Sequence, residues 1–463
     1  MKMQKKAFLA LMLALCLLLS GCTLIVKDEA VDAATVIIRK GDTVVTKGEL
    51  KTDIDNLLNN MSYYYAAYGY PFDPTDETIL ADARNQVIQQ KETDIVTAEQ
   101  LAANQLDQLT DEENADIQEK AQSAYDSMVS SYKSTVSAEQ PDADDETLTK
   151  MALDRMAELG LTLETYVEDQ KKTLLDSKLR DFIVKDVTVT EEELQTEYES
   201  RVASSKSTYE SNPGAYATAV NNGTTVYFVP EGVRRVKQIL TKFHEEDQTA
   251  IDAANARVTE ANSAISAANA KISSLEELAA DENAEEAEKA QANEDLTAAR
   301  EELAKATEEL DAANAELTAA TDTAFANLDE EVDAILAELE SGADWDTLMA
   351  EKNQDPGMQS GTAAEKGYAI ATGMTSFDAA FVEAGMALEK IGDWSGKIKG
   401  NSYGYYIIRY VDDEKPGEVG LDAVRETIES SVLANKQNTT YDTTVQQWIT
   451  EAGFQVDMNA LKD

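Results

Sequence analysis

Arg234-Arg235-Val236-Lys237-Gln238-Ile239-Leu240 sets Val236, Ile239 and Leu240 among long polar side chains, and it has a counterpart far downstream in Gly404-Tyr405-Tyr406-Ile407-Ile408-Arg409-Tyr410. Both read as strands. Between them the pattern turns helical. Ile251, Val258, Ile265 and Ile272 recur every seven residues, with Ala254, Ala261, Ala268 and Leu275 on the alternate seam. Leu296, Leu303, Leu310 and Leu317 repeat that spacing, with Ala299, Ala306, Ala313 and Ala320 between them. Two heptad arms joined by a charged turn from Asp281 to Glu288 predict an antiparallel helical hairpin over 247–328, a spacer, clamp or dimer arm whose helices pair within one chain or between two. Beyond it come an amphipathic helix over Val332 to Leu339, a helical stretch from Trp345 to Ala350, the loop Asn353-Gln354-Asp355-Pro356-Gly357 and a small-residue loop to Gly367. A helix around Phe381 to Leu388, a turn at Gly392-Asp393-Trp394-Ser395 and a further strand near Lys397 complete a β-α-α-α-β order, a small α+β domain over 233–414 interrupted by the hairpin.

Outward from this domain the chain is mainly helical. Thr35 to Arg39 alternates as a strand, Lys40-Gly41-Asp42 turns, and Thr46 with Glu49 forms a capping box that opens a helix. Gly160-Leu161-Thr162 starts another helix, and Thr190 with Glu193 repeats the box. The aromatic cluster Tyr63, Tyr64, Tyr65, Tyr68, Tyr70 and Phe72 is expected in the helical core, with a peptide-contact surface as the alternative. After the α+β domain, Leu421, Val424, Ile428 and Val432 line one helix face, Gly453 stops the helix, and Phe454-Gln455-Val456 reads as a closing strand. The expected organisation is a helical domain over 22–232, completed by 415–463.

At the N-terminus, Lys2, Lys5 and Lys6 precede an apolar run from Ala7 to Leu19 and then Leu19-Ser20-Gly21-Cys22. This reads as a signal peptide over 1–21 ending in a lipobox, with Cys22 acylated so that the mature chain is lipid-anchored on the extracytoplasmic face of the cell membrane. Cys16 leaves with the signal, so no intramolecular disulfide is expected. A net charge of −48 over 463 residues makes nucleic acid an improbable partner. The single histidine, His244, reads as a surface residue and excludes a His-rich metal site. No phosphate-binding glycine loop is present, and neither metal nor cofactor is expected.

The ordered set Arg234 to Leu240, Gly342 with Trp345, Gln354-Asp355-Pro356-Gly357, the spacing of Phe381, Ala384 and Leu388, and Gly404 to Tyr410 resembles the parvulin family of peptidyl-prolyl cis-trans isomerases. With the lipobox and the surrounding helices, the whole resembles foldase lipoproteins of the PrsA type and, in its helical N-terminal region, the chaperone SurA. That resemblance implies a proline-ring pocket at Met374 and Phe381 with Met386 behind it, residues that composition alone would read as core. It also implies a polar cluster at Gln238, Asp355 and Tyr406. Gln238 and Tyr406 stand where the family's strands carry histidines, and Ala364-Glu365-Lys366-Gly367-Tyr368 stands where it carries a glycine-rich loop.

Two functions compete. One is a foldase that isomerises prolines and chaperones unfolded or newly exported polypeptides, as a monomer or homodimer. The other is a non-catalytic holdase with a degenerate parvulin domain. A passive coiled-coil spacer would explain the hairpin but not the strand motifs.

Overall fold

A computed structural model describes residues 28–281 and 284–462, so the signal segment, its lysines and Cys22 lie outside the described residues. Two units divide the chain, one formed by residues up to Val189 together with Ser431 onward, the other by Thr190–Ser430.

In the first unit, β1 (Val36–Lys40) pairs antiparallel with β2 (Thr43–Thr46) on one side and with β9 (Gln455–Val456) on the other. Gly41, at φ +57°, makes the turn between β1 and β2. The expected box at Thr46 forms: its hydroxyl accepts from Glu49 N, and the Glu49 carboxylate accepts from Thr46 N at 2.7 Å. It opens the helix Lys47–Ala67, followed by helices Glu77–Ala103, Asp111–Glu139, Asp145–Glu158 and Leu163–Val184. Ile37, Ile38, Leu50, Ile54, Val87 and Ile88 pack together as the core beside the small sheet. The tyrosines do not join it. Tyr63, Tyr64, Tyr68 and Tyr70 are 61–81 % exposed, because the end of the helix Lys47–Ala67 and the turn after it run past the segment where Leu50, Ile54 and Leu58 are buried.

In the second unit, β4 (Arg234–Lys242) and β7 (Gly404–Asp413) form the centre of an antiparallel sheet. The edges are β5 (Tyr368–Ile370) and β6 (Ile398–Lys399), in the order β5-β4-β7-β6. β5 was not anticipated; it follows directly on the segment to Gly367 expected to be a small-residue loop. The central strands are buried on both faces along most of their length, with the polar Arg235, Gln238 and Thr241 of β4 among the buried residues. On one face Val236, Leu240, Tyr406 and Ile408 meet the helix Ala379–Ala387; on the other Ile239, Tyr405 and Ile407 meet the hairpin's root.

The hairpin consists of helices Glu245–Ala280 and Glu286–Glu340, paired within one chain. The amphipathic stretch Val332 to Leu339 is not a separate helix but the last turns of the second arm, since no helix-breaking residue intervenes and its apolar face continues from Phe325 and Leu328 onto the sheet. The heptad alanines occupy the seam. Ala254 and Ala299 are 0 % exposed and Ala313 1 %, while Val258, Ile265, Leu303 and Leu310 flank them half-buried, because side chains no larger than methyl let the two backbones approach. Half-exposed ion pairs join the arms across the seam, Lys271 to Glu302 at 3.0 Å, Arg300 to Glu276 at 2.9 Å, and Arg257 to Glu316.

The second unit also takes in 190–232 and 415–430, segments expected with the helical domain. The helix Glu191–Tyr209, opened by the Thr190–Glu193 box, donates the Tyr198 hydroxyl to Val419 O at 2.9 Å. β3 (Phe228–Val229) pairs with β8 (Gly417–Glu418), and Tyr216 and Ala217 from the helix Pro213–Asn221 enter the sheet's core. These are long-range contacts, and no local pattern announces them.

Candidate functional site

The register of β4 on β7 sets Gln238 opposite Ile408 and Leu240 opposite Tyr406. Residues paired directly share a face, so Gln238 and Tyr406 sit diagonally on the same side of the sheet. There they line a cleft of about 430 Å³ with Asp355, Tyr368, Phe377, Asp378 and Phe381.

Asp355 is placed by a loop stitched to β4. Asn353 Oδ1 accepts from Leu240 N at 2.8 Å, Gln354 N donates to Leu240 O at 2.9 Å, and Gln354 Oε1 accepts from Lys242 N at 2.7 Å. The carboxylate then accepts from Gln238 Nε2 at 2.7 Å, from the Tyr368 hydroxyl at 3.0 Å and from Gly357 N at 2.9 Å. Glycine is needed at 357, where a Cβ would collide with the Tyr368 hydroxyl. Asp378 builds the opposite wall. It caps the helix Ala379–Ala387 through Ala380 N at 3.0 Å, holds Asn401 Nδ2 at 2.8 Å, and accepts a long bond of 3.5 Å from the Tyr406 hydroxyl.

The apolar surface is a chain of rings in edge contact: Tyr368 to Phe377 at 4.9 Å, Phe377 to Phe381 at 5.8 Å, and Phe381 to Tyr406 at 5.4 Å between centroids. The loop carrying Phe377 is held against the helix Pro213–Asn221 by the pair Thr218–Ser376 at 2.9 Å. Gly214 permits that approach, since any Cβ there would strike the backbone of Gly373 and Met374.

Burial pushes the Tyr406 hydroxyl well above the usual tyrosine range, helped by the charge of Asp378; burial and then the Asp355 carboxylate do the same to Tyr368. Both stay protonated donors through neutral pH. Gln238 is 6 % exposed, and its Oε1 is buried with no hydrogen-bond partner among the described residues. The arrangement therefore offers hydroxyl and amide donors, a buried amide oxygen and a ring-lined wall.

Of the residues singled out from sequence, Gln238, Asp355, Tyr406 and Phe381 come together in the cleft. Met374 does not line it; its side chain is in the core behind. Met386 is likewise packed at the core, its carbonyl accepting from the Arg234 guanidinium at 2.7 Å. Gly373, at φ +83°, turns the chain just before Met374, while Met386 lies in the last turn of the helix Ala379–Ala387 beside Gly385, whose missing Cβ lets that helix close on Ile370. Tyr368, Phe377 and Asp378 were missed. Asp378 had a legible signal, an Asp immediately before the apolar run Ala379-Ala380-Phe381-Val382, which marks an N-cap.

No protein-family model matches the sequence, and no curated protein matches it. Solved structures do. The foldase protein PrsA from Streptococcus pneumoniae is 14% identical, over 92% of this chain and 97% of that one, with a TM-score of 0.25. A PrsA peptidylprolyl isomerase from Bacillus cereus is 16% identical over 74% of this chain and 88% of its own, at a TM-score of 0.18. One of two structurally related SurA-like chaperones from Campylobacter jejuni is 13% identical over 72% and 94%, at 0.23.

Proposed function

We propose that this chain is an extracytoplasmic foldase, lipid-anchored to the cell membrane through Cys22, which accelerates X-Pro isomerisation in unfolded or newly exported polypeptides. The observation that carries this reading is the cleft itself, a ring-lined wall facing two hydrogen-bonded carboxylate–tyrosine pairs. Rotation about a peptide bond crosses roughly 18–20 kcal/mol, and unaided X-Pro isomerisation takes tens of seconds. No covalent step is needed; a site has only to bind the twisted bond better than the planar one. The proline ring would lie on Phe377 and Phe381. The carbonyl oxygen before it, freed from conjugation with nitrogen as the bond twists, would take the Tyr406 hydroxyl, which its 3.5 Å bond to Asp378 holds only loosely. Gln238 and Tyr368 hold Asp355 and shape the floor.

A proline-peptide isomerisation assay with the full mature chain tests this. A rate above background that falls when Phe381 is replaced by Ala supports it; a background rate from folded protein sinks it.

One observation favours the alternative, a holdase. Tyr63, Tyr64, Tyr68 and Tyr70 form an exposed aromatic patch, of the kind that contacts unfolded chain without any catalysis. Suppression of client aggregation at a background isomerisation rate would select it.

A further inference from the structure

The first unit contains a cavity of about 630 Å³, within the range of small-molecule sites. Arg84 lines it, from the helix Glu77–Ala103. Its side chain is 14 % exposed, yet its sole ion-pair partner among the described residues is Glu77, 3.7 Å away and itself 85 % exposed, and no described residue hydrogen-bonds to it. A guanidinium has five donors in a planar fork. Withdrawn from bulk water and met by so little, this one suits an anion with two or more oxygens, such as a phosphate. Lys51, from the helix Lys47–Ala67, also lines the cavity and has no ion pair among the described residues; Lys47 is already held by Asp32 at 3.1 Å. Glu29 and Asp55 bring negative charge to the same space, and Ile54, Leu80 and Leu461 give it an apolar floor. A purely anionic ligand would meet those carboxylates, whereas one joining a phosphate to an ammonium would satisfy both signs.

The cavity's position adds the source of that ligand. Its wall begins at Glu29, seven residues beyond Cys22, and seven extended residues reach no more than about 25 Å. We propose that the cavity receives a zwitterionic phospholipid headgroup, its phosphate on Arg84 and Lys51 and its ammonium toward Glu29 and Asp55, docking the first unit on the bilayer that the anchor enters. This rests on the reading of Cys22 as the acylated residue. A chain of net charge −48 is repelled by an anionic surface, and a zwitterionic headgroup avoids that repulsion.

The experiment is vesicle flotation of the full mature chain carrying Cys22→Ser, so that no acyl chain contributes. Phosphatidylethanolamine–phosphatidylcholine vesicles should retain it, and phosphate-free glycolipid vesicles should not. Arg84→Ala should lower retention about tenfold, the loss expected of a charge-assisted hydrogen bond, and Arg84→Lys should recover part of it. Lys51→Ala, at an exposed position, guards against a misfolded Arg84 variant and should weaken retention too. Equal retention on phosphate-free vesicles, or retention unchanged in both alanine variants, overturns the proposal. Binding of soluble glycerophosphoethanolamine without vesicle retention also overturns it, assigning the cavity to a free phosphate compound. Mass spectrometry of Cys22 in the native protein decides the anchor separately: an unacylated Cys22 with intact, Arg84-dependent flotation removes the anchor and leaves the headgroup site standing.

Discussion

Tyr406 is the residue on which the proposed chemistry turns. Its hydroxyl is buried beside two carboxylates, held by one of them at 3.5 Å, and its proton is retained far above neutral pH. Tyr406→Phe keeps the ring against Phe381 and removes only the donor, so kcat/KM for a proline peptide should fall about tenfold, the value of one hydrogen bond near the upper end of the usual range. Because the cleft contains no histidine, the rate of the parent protein should show no imidazole step between about pH 6 and 8. Such a step in the pH profile would place a different group in the reaction. Tyr216 makes a prediction about stability. Burial first, then the charge of Glu414, raises it to about 12, while an unfolded tyrosine titrates near 10. The folded state therefore holds this proton more tightly. The stability gained is fully present below about pH 10 and is lost as pH rises from there through about 12. Tyr216→Phe should move the midpoint of alkaline unfolding upward, as followed by circular dichroism.

At the scale of elements, the hairpin behaves differently along its length. Its outer part is held by a seam of alanines, where added volume has nowhere to go. Ala299→Leu should cost about 1–3 kcal/mol by forcing the backbones apart. Its root belongs to the α+β core: Phe325 is 4 % exposed, with ring centroids 4.9 Å from Phe243 and from Tyr405. Lys397 joins Asp329 at 2.6 Å and Asp333 at 2.8 Å, and Tyr405 donates to Asp329 at 2.9 Å, fastening the second arm to the sheet. Phe325→Ala should therefore cost about 3–5 kcal/mol, measured by urea denaturation. The heptads made the hairpin legible, because a seven-residue repeat is local and redundant. They gave no sign of where the arm ends, because a helix entering a globular core keeps the same periodicity as one leaving it.

At the scale of the whole molecule, the cleft belongs to one unit and the exposed tyrosines to the other, so the two proposed activities should separate by mutation. Replacing Tyr63, Tyr64, Tyr68 and Tyr70 by Ser should reduce suppression of client aggregation, read by light scattering, while leaving the peptide isomerisation rate within twofold of the parent, about 0.4 kcal/mol or less. A parallel loss of both would tie the patch to the cleft. The substitutions should leave the melting temperature nearly unchanged, since surface side chains outside the core contribute little to stability.

Sequence alone determined whatever is written in short-range pattern: the strands at Gln238 and Tyr406, the alanine–leucine heptads, the capping boxes at Thr46 and Thr190, and the closing strand at Gln455 and Val456, which pairs with β1. The motif resemblance also named four of the cleft residues, Gln238 and Tyr406 on the paired strands, Asp355 in a loop and Phe381 in a helix. Only the tertiary structure decided that Met374 and Met386 turn inward, that Tyr368, Phe377 and Asp378 complete the cleft, and that the tyrosines from 63 to 70 face outward. It likewise decided that 190–232 packs with the α+β unit. Each depends on which segment the chain brings back from far along its length, and an apolar side chain reads the same in one dimension whether or not a partner arrives to cover it.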